Sequence, residues 1–291
     1  EKKKHKLMEN LSSAPSRSIW KSIIQNKMLV LGLTTLIILM LGALLLPWFY
    51  QDYEQTSLKD ILVSPCSRFP FGTDTLGRCM FARTLRGLRL SLLIATIATL
   101  IDVCVGLLWA TVAISGGKKI DFLMMRTTEI LFSLPRIPII ILLLVIFHHG
   151  LLPLILAMTI TGWIPISRII YGQFLLLKNK PFVLSAKAMH ASTFHILKKH
   201  LLPNTLAPII STLIFTIPNA IYTEAFISFL GLGIQPPQAS LGTLVKEGIN
   251  AIDYYPWLFF FPSLIMIALS ISFNLIGEGA KTLCLEEGSH G

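Results

Sequence analysis

Acidic residues are scarce: 15 Asp and Glu stand against 25 Lys and Arg in 291 residues, and none lies between Glu129 and Glu224. A proton-linked carrier ordinarily needs several acids facing one intramembrane cavity, so this gap weighs against that class. The chain also lacks G-x-x-x-x-G-K-[ST], because "GGKKID" at 116–121 has neither the first glycine at the right spacing nor a hydroxyl after the lysine. There is no Ser/His/Asp signature, no H-E-x-x-H and no close carboxylate pair within an apolar run. The chain is therefore expected to catalyse nothing itself, and any energy must come from a partner. The four cysteines at 66, 79, 104 and 284 form no C-x-x-C pair and no zinc spacing. Cys66 and Cys79 share one loop and could pair in an oxidising compartment, or remain two separate thiols.

Apolar residues, by contrast, make up 53% of the chain, charged residues only 14%, and the mean hydropathy is +0.69. A bilayer core of about 30 Å needs roughly 20 apolar residues per helix. Six runs qualify: Met28 to Phe49, Leu90 to Ile114, Ile130 to Phe147, Leu151 to Ser167, Leu206 to Leu230 and Pro256 to Ile276. His148, His149 and Gly150 alone separate the third from the fourth, which predicts a tight helical hairpin. The first run is too long for a signal-peptide core and lacks a small-residue cleavage site, so it is read as a retained span. The chain begins at Glu1, so a few residues are expected to be missing from its start.

The net charge of +10 could indicate nucleic acid, but the distribution of the cations fits the positive-inside rule better. With the N-terminus cytoplasmic, 17 Lys and Arg fall in inner segments and 7 in outer ones. The expected architecture is thus all-α and integral to the membrane, with six spans and both termini inside. Its organisation is a basic tail at 1–27, a first span at 28–49 and an extracytoplasmic loop at 50–89. A core at 90–278 follows, interrupted by a cytoplasmic loop at 173–205 and an extracytoplasmic loop at 231–255, and then a tail at 279–291. Arg78, Arg83, Arg86 and Arg89 fall on the outer side against the rule, either as snorkelling interface anchors or as ligands for an acidic partner.

Ionisable residues within runs are functional hypotheses by default. Asp102 lies mid-span, where a hydrogen bond to a neighbouring helix or subunit is the simpler reading. Glu224 could line a pathway or cap the Gly-rich turn that follows. Arg136 stands inside the third run. The stretch "FVLSAKAMHASTFHILKKHLLPN" at 182–204 is polar, basic and acid-free between two apolar runs. Phe182, Ala186 and Met189, then Phe194, Leu197 and Leu201, recur at helical intervals. Ser192 or Thr193 can cap a second helix, and Pro203 suits the first turn of the next span. Such a helix, tip and helix could lie on anionic lipid or dock on a cytoplasmic protein.

Four motifs taken together, "FGTDTLGR" (71–78), "SAKAMHAS" (185–192) with "HLLPN" (200–204), "SFLGLGIQPP" (228–237) and "FNLIGEGAK" (273–281), resemble the permeases of oligopeptide and dipeptide ABC importers, in particular the second permease subunit. The resemblance implies a type I importer fold. It also implies a pathway shared with a homologous permease, two ATP-binding subunits holding ATP and Mg, and an extracytoplasmic substrate-binding protein. Relatives of such permeases are associated with nickel, glutathione or other small cargo. The loop before the fifth span would be the coupling helix that seats in the ATPase, carried by Phe182, Val183, Ser185, Ala186, Lys187, Ala188, Met189, His190, Ala191, Ser192, Leu197 and Pro203. Phe182, Ala186 and Met189 would form the inserted face. The usual motif begins Glu-Ala-Ala and has a later Gly; here Leu184, Ser185 and His190 stand at those places, so the bend must be made by a residue with a Cβ. Arg136 and Tyr171 are further departures. The outer motif residues are Gly72, Thr73, Asp74, Gly77, Arg78, Gly231 and Gly233.

Overall fold

The computed structural model describes residues 24–49, 56–147 and 150–288. Most of the basic tail and the histidine pair at 148 and 149 lie outside the described residues. Among the described residues the regular structure is helical, apart from one isolated bridge between Thr73 and Cys79. The helices are α1 (Lys27–Phe49), α2 (Met80–Ser115), α3 (Gly117–Ser133), α4 (Arg136–Phe147), α5 (Leu151–Lys178), α6 (Pro181–Ala188) and α7 (Thr193–Ile196). A π turn (Leu197–Leu201) leads into α8 (Leu202–Phe229), followed by α9 (Leu241–Ile249) and α10 (Trp257–Gly288). Five segments are long and apolar enough to cross a membrane, and one further bent pair passes the same test jointly.

That bent pair corrects the third span. The run Ile130 to Phe147 is not one helix: α3 ends at Ser133, α4 starts at Arg136, and their axes differ by 84°. Pro135 explains the break, since it has no N–H for the helical ladder and pushes Leu134 into extended geometry, ψ 138°. At 1.5 Å per residue the 12 residues of α4 reach roughly 18 Å, too short for a bilayer core alone. The hairpin partner is as expected, with α4 packed along α5.

Small residues set the spacing of the bundle. The ladder of Gly106 and Gly162 lets α2 and α5 approach until a Cβ at Gly162 would strike the Asp102 carboxylate. Gly32 and Gly279 do the same for α1 and α10, whose ends are tied by Asn26 Nδ2 donating to the Gly279 carbonyl at 3.1 Å. The central core joins Leu88, Ile94, Leu144, Leu154, Met158 and Ile221 from four helices. Prolines interrupt α5 (Pro165), α8 (Pro208 and Pro218) and α10 (Pro262), whereas the 36 residues of α2 contain none.

Helix α2 begins ten residues before the expected span. It runs about 54 Å, from an apolar cluster at Met80, Leu244 and Leu258 to a second cluster at Ala110, Phe174 and Val183. The two clusters sit under the two candidate surfaces, the loops at 56–79 and 231–258 at one end and the segment 181–201 at the other.

Candidate functional site

The segment 181–201 folds as the periodicity predicts, into a helix, a tip and a second helix. Pro181 starts α6 at its first turn. The helix closes on His190, whose φ of 58° places it in the left-handed region. The His190 amide donates to Lys187 O at 2.9 Å and the Ala191 amide to Ala186 O at 3.0 Å. These are the two bonds of a Schellman ending, in which the left-handed position is usually glycine. Ser192 is the cap of α7, its hydroxyl accepting from the His195 amide at 3.2 Å. The π turn follows, with the Leu202 amide reaching back to Leu197 O, so the helix is widened where the Pro203 ring would press on the carbonyl four residues earlier.

The exposed face of this element keeps Phe182 and Met189 of the expected inserted face and departs from it at Ala186. Val183, Ala186 (4% exposed) and Leu197 point inward, packing with Ile170, Phe174, Ile196 and Leu201 of the same chain. They hold the tip on α5 and are not an inserted face. The outward apolar residues are Phe182, Leu184, Met189 (79%) and Phe194 (73%). Leu184 stands where the resemblance called for an acid, and it is half exposed. Period counting cannot tell which side of a short amphipathic helix meets its own bundle, which is why Ala186 was misassigned. Lys187 and His190 are exposed beside this face, as are Ser185 and Ala188.

At the other end, "FGTDTLGR" forms a knot tied by its own backbone. Gly72 and Gly77 have φ of 72° and 71°, and a Cβ on either would collide with the carbonyl of Val63 or Ser57. The Thr73 hydroxyl donates to Asp60 O and accepts from the Val63 amide. Asp74 accepts from the Leu76 and Arg78 amides through Oδ1, and Oδ2 receives Arg78 Nε at 2.7 Å and Arg83 Nη1 at 2.6 Å. Arg83 also holds Glu247 of α9 at 2.8 and 3.2 Å. Arg78 and Arg83 therefore serve acids of their own chain, which is neither of the two roles expected for the outer-side arginines, interface anchor or ligand for an acidic partner. Arg86 and Arg89 are exposed. Beside the triad lies a cavity of about 260 Å³, lined by Asp74, Arg78, Leu244, Glu247 and Asn250 among others. Cys66 and Cys79 are separate thiols, and Cys104 is a third.

Within the bundle, Glu224 is fully buried. Ser91 of α2 donates to its Oε2 at 2.9 Å and Ser228 to its Oε1 at 2.7 Å. The Leu241 amide donates to Ser91 Oγ at 3.1 Å, and Ser240 Oγ lies 3.4 Å from Ser228 Oγ. Ser240 in turn opens α9 through a capping box with Thr243. One carboxylate thus ties α2, α8 and the start of α9, the geometry of a structural cap. Gly231 (φ 87°) and Gly233 make the intervening turn, the latter against the Ser228 hydroxyl. Asp102 is buried, and its Oδ1 finds no hydrogen-bond partner on a neighbouring helix among the described residues, which leaves a neighbouring subunit as the other expected partner.

The chain matches two families: "Binding-protein-dependent transport system inner membrane component" over residues 102–279, and "N-terminal TM domain of oligopeptide transport permease C" over residues 14–65. It is 40% identical to the oligopeptide transport system permease protein OppC of Bacillus subtilis, over 92% of this chain and 90% of that one. The dipeptide transport system permease protein DppC of Bacillus subtilis is also 40% identical, over 91% and 84%. OppC of Escherichia coli is 34% identical over 96% of each chain. Among solved structures, the inward-facing MetNI methionine ABC transporter covers 67% of this chain and 92% of its own, with a TM-score of 0.56 at 16% identity, which speaks for the fold alone. Bent third segment, knotted loop and helix-tip-helix notwithstanding their departures, the chain belongs to the inner-membrane components of binding-protein-dependent transport systems, within the oligopeptide and dipeptide permeases.

Proposed function

We propose that this chain is the transmembrane permease subunit of an ATP-driven importer of di- and oligopeptides, forming the pathway with a homologous second permease. The observation that carries the reading is the exposed apolar set Phe182, Leu184, Met189 and Phe194, rimmed by Lys187 and His190, on an element braced by its own buried face. Four large apolar side chains projecting at a bend suit a protein socket. In this reading segment 181–201 and both termini are cytoplasmic, and two ATP-binding subunits, with their ATP and Mg, seat on that tip. The loops at 56–79 and 231–258 face outward and receive the substrate-binding protein. Closure of the ATPase pair moves the tips, and rocking of the two permeases alternates access. The chain lies in a bacterial cytoplasmic membrane and binds no nucleic acid.

Proteoliposomes carrying the permease pair, the ATP-binding subunits and the binding protein test this directly. Labelled peptide should accumulate only with ATP and regardless of protonophore. Uptake that persists without the ATP-binding subunits and collapses with protonophore would establish a secondary carrier instead.

A further inference from the structure

A cavity of about 330 Å³ opens among α4, α5, α8 and the end of α10, within the apolar part of the bundle. Its polar lining is Arg136, Lys281, Ser211, Thr212, Thr216 and Asn219, with no acid in it. The Thr212 and Thr216 hydroxyls donate back to the carbonyls of Pro208 and Thr212, which leaves their lone pairs to the cavity. Lys281 sits 4.1 Å from the centroid of the Phe215 ring and 3.0 Å from Glu278. Among the described residues Arg136 has no ion pair, and its buried Nε has no hydrogen-bond partner. The nearest acid in its field is Asp102, behind Gly162, which is also short of a partner.

Unpartnered buried polar atoms are rare, and one on a charged side chain that lines a cavity marks a site completed by something else. A guanidinium with free N–H groups in a low-dielectric pocket favours a planar anion that accepts two hydrogen bonds. We propose that Arg136, helped by Lys281, holds a carboxylate of the cargo in this cavity during transit. For a peptide, that group is the C-terminal carboxylate. The volume suits one or two residues of such a ligand. The same lining disfavours a bare divalent cation, since it offers two cations and no acid. This inference rests on the importer reading above and names the chemistry that its pathway recognises.

The test is equilibrium binding of a labelled tripeptide and of its C-terminal amide to the permease–ATPase complex in nanodiscs, without binding protein. Wild type should hold the free acid about tenfold more tightly than the amide. Arg136→Gln should bring the two together by weakening the acid alone, and Arg136→Lys, which keeps the charge but not the fork, should keep only part of the preference. Equal binding of both ligands by wild type, no binding of either, or a preference that survives in Arg136→Gln would overturn the assignment. Uptake in the proteoliposomes separates this from the importer reading: peptide uptake without any carboxylate preference removes only the present inference, whereas no ATP-driven peptide uptake removes both.

Discussion

Arg83 and Glu247, 164 positions apart, are joined by two hydrogen bonds of 2.8 and 3.2 Å, and the same guanidinium holds Asp74 at 2.6 Å. The arginine side chain is 3% exposed, so removing it opens a buried ion pair with Asp74. Arg83→Ala should cost about 3 kcal/mol, the low end for a broken buried pair because Asp74 keeps Arg78 and two amides. Glu247→Gln, on the exposed side of the triad, should cost about 1 kcal/mol. Thermal unfolding of the purified chain in detergent reads both, and equal costs would show that Arg83 is not the shared clamp.

His190 occupies a left-handed position at the end of α6, where a Cβ costs roughly 1–2 kcal/mol. His190→Gly should return about 0.5–1 kcal/mol locally, part of the gain being offset by the freer unfolded chain. Hydrogen exchange at the Ala191 amide, which closes the Schellman ending, should slow several-fold. Faster exchange there would mean that the imidazole makes a contact worth more than the strain.

The two faces of the tip separate folding from coupling. Ala186→Asp buries an unpaired charge against Phe174 and Ile170 and should lower membrane levels sharply. Phe194→Asp, on the exposed face, should leave levels normal while cutting transport-coupled ATP hydrolysis about tenfold. Normal coupling in Phe194→Asp would remove that residue from the docking face.

Gly162 lets the Asp102 carboxylate sit against α5, and a methyl there has no room. Gly162→Ala should cost about 1–3 kcal/mol. Combined with Asp102→Ala, the loss should fall short of the sum of the two single changes by about 1–2 kcal/mol. Additive losses would place the strain of Gly162→Ala elsewhere along the contact.

How far these features were readable from sequence follows from their range. Apolar runs located the long helices, but Arg83, Arg86 and Arg89 lowered hydropathy over the first turns of α2 and hid ten residues of it. Pro135 sits in an apolar stretch that any hydropathy window averages over, so a broken segment was read as one span. Local signals served well at the tip, where Ser192 and Pro203 act within four residues of themselves. The partner of Arg83 and the three serines around Glu224 come from separate elements, and no periodicity announces them. The polar cavity had one legible sign, Arg136 in a run that should have held no charge.

The proline-free α2 gives the molecule one stiff member among hinged ones. Its neighbours α5, α8 and α10 carry interior prolines that let each bend part-way along. The knot formed by residues 56–79 is tied to the first turns of this rod, and the tip packs near its last turns. A tilt imposed at one end would be carried to the other as the swing of a lever arm, so that two surfaces separated by a hundred residues of sequence stand as opposite ends of a single rod.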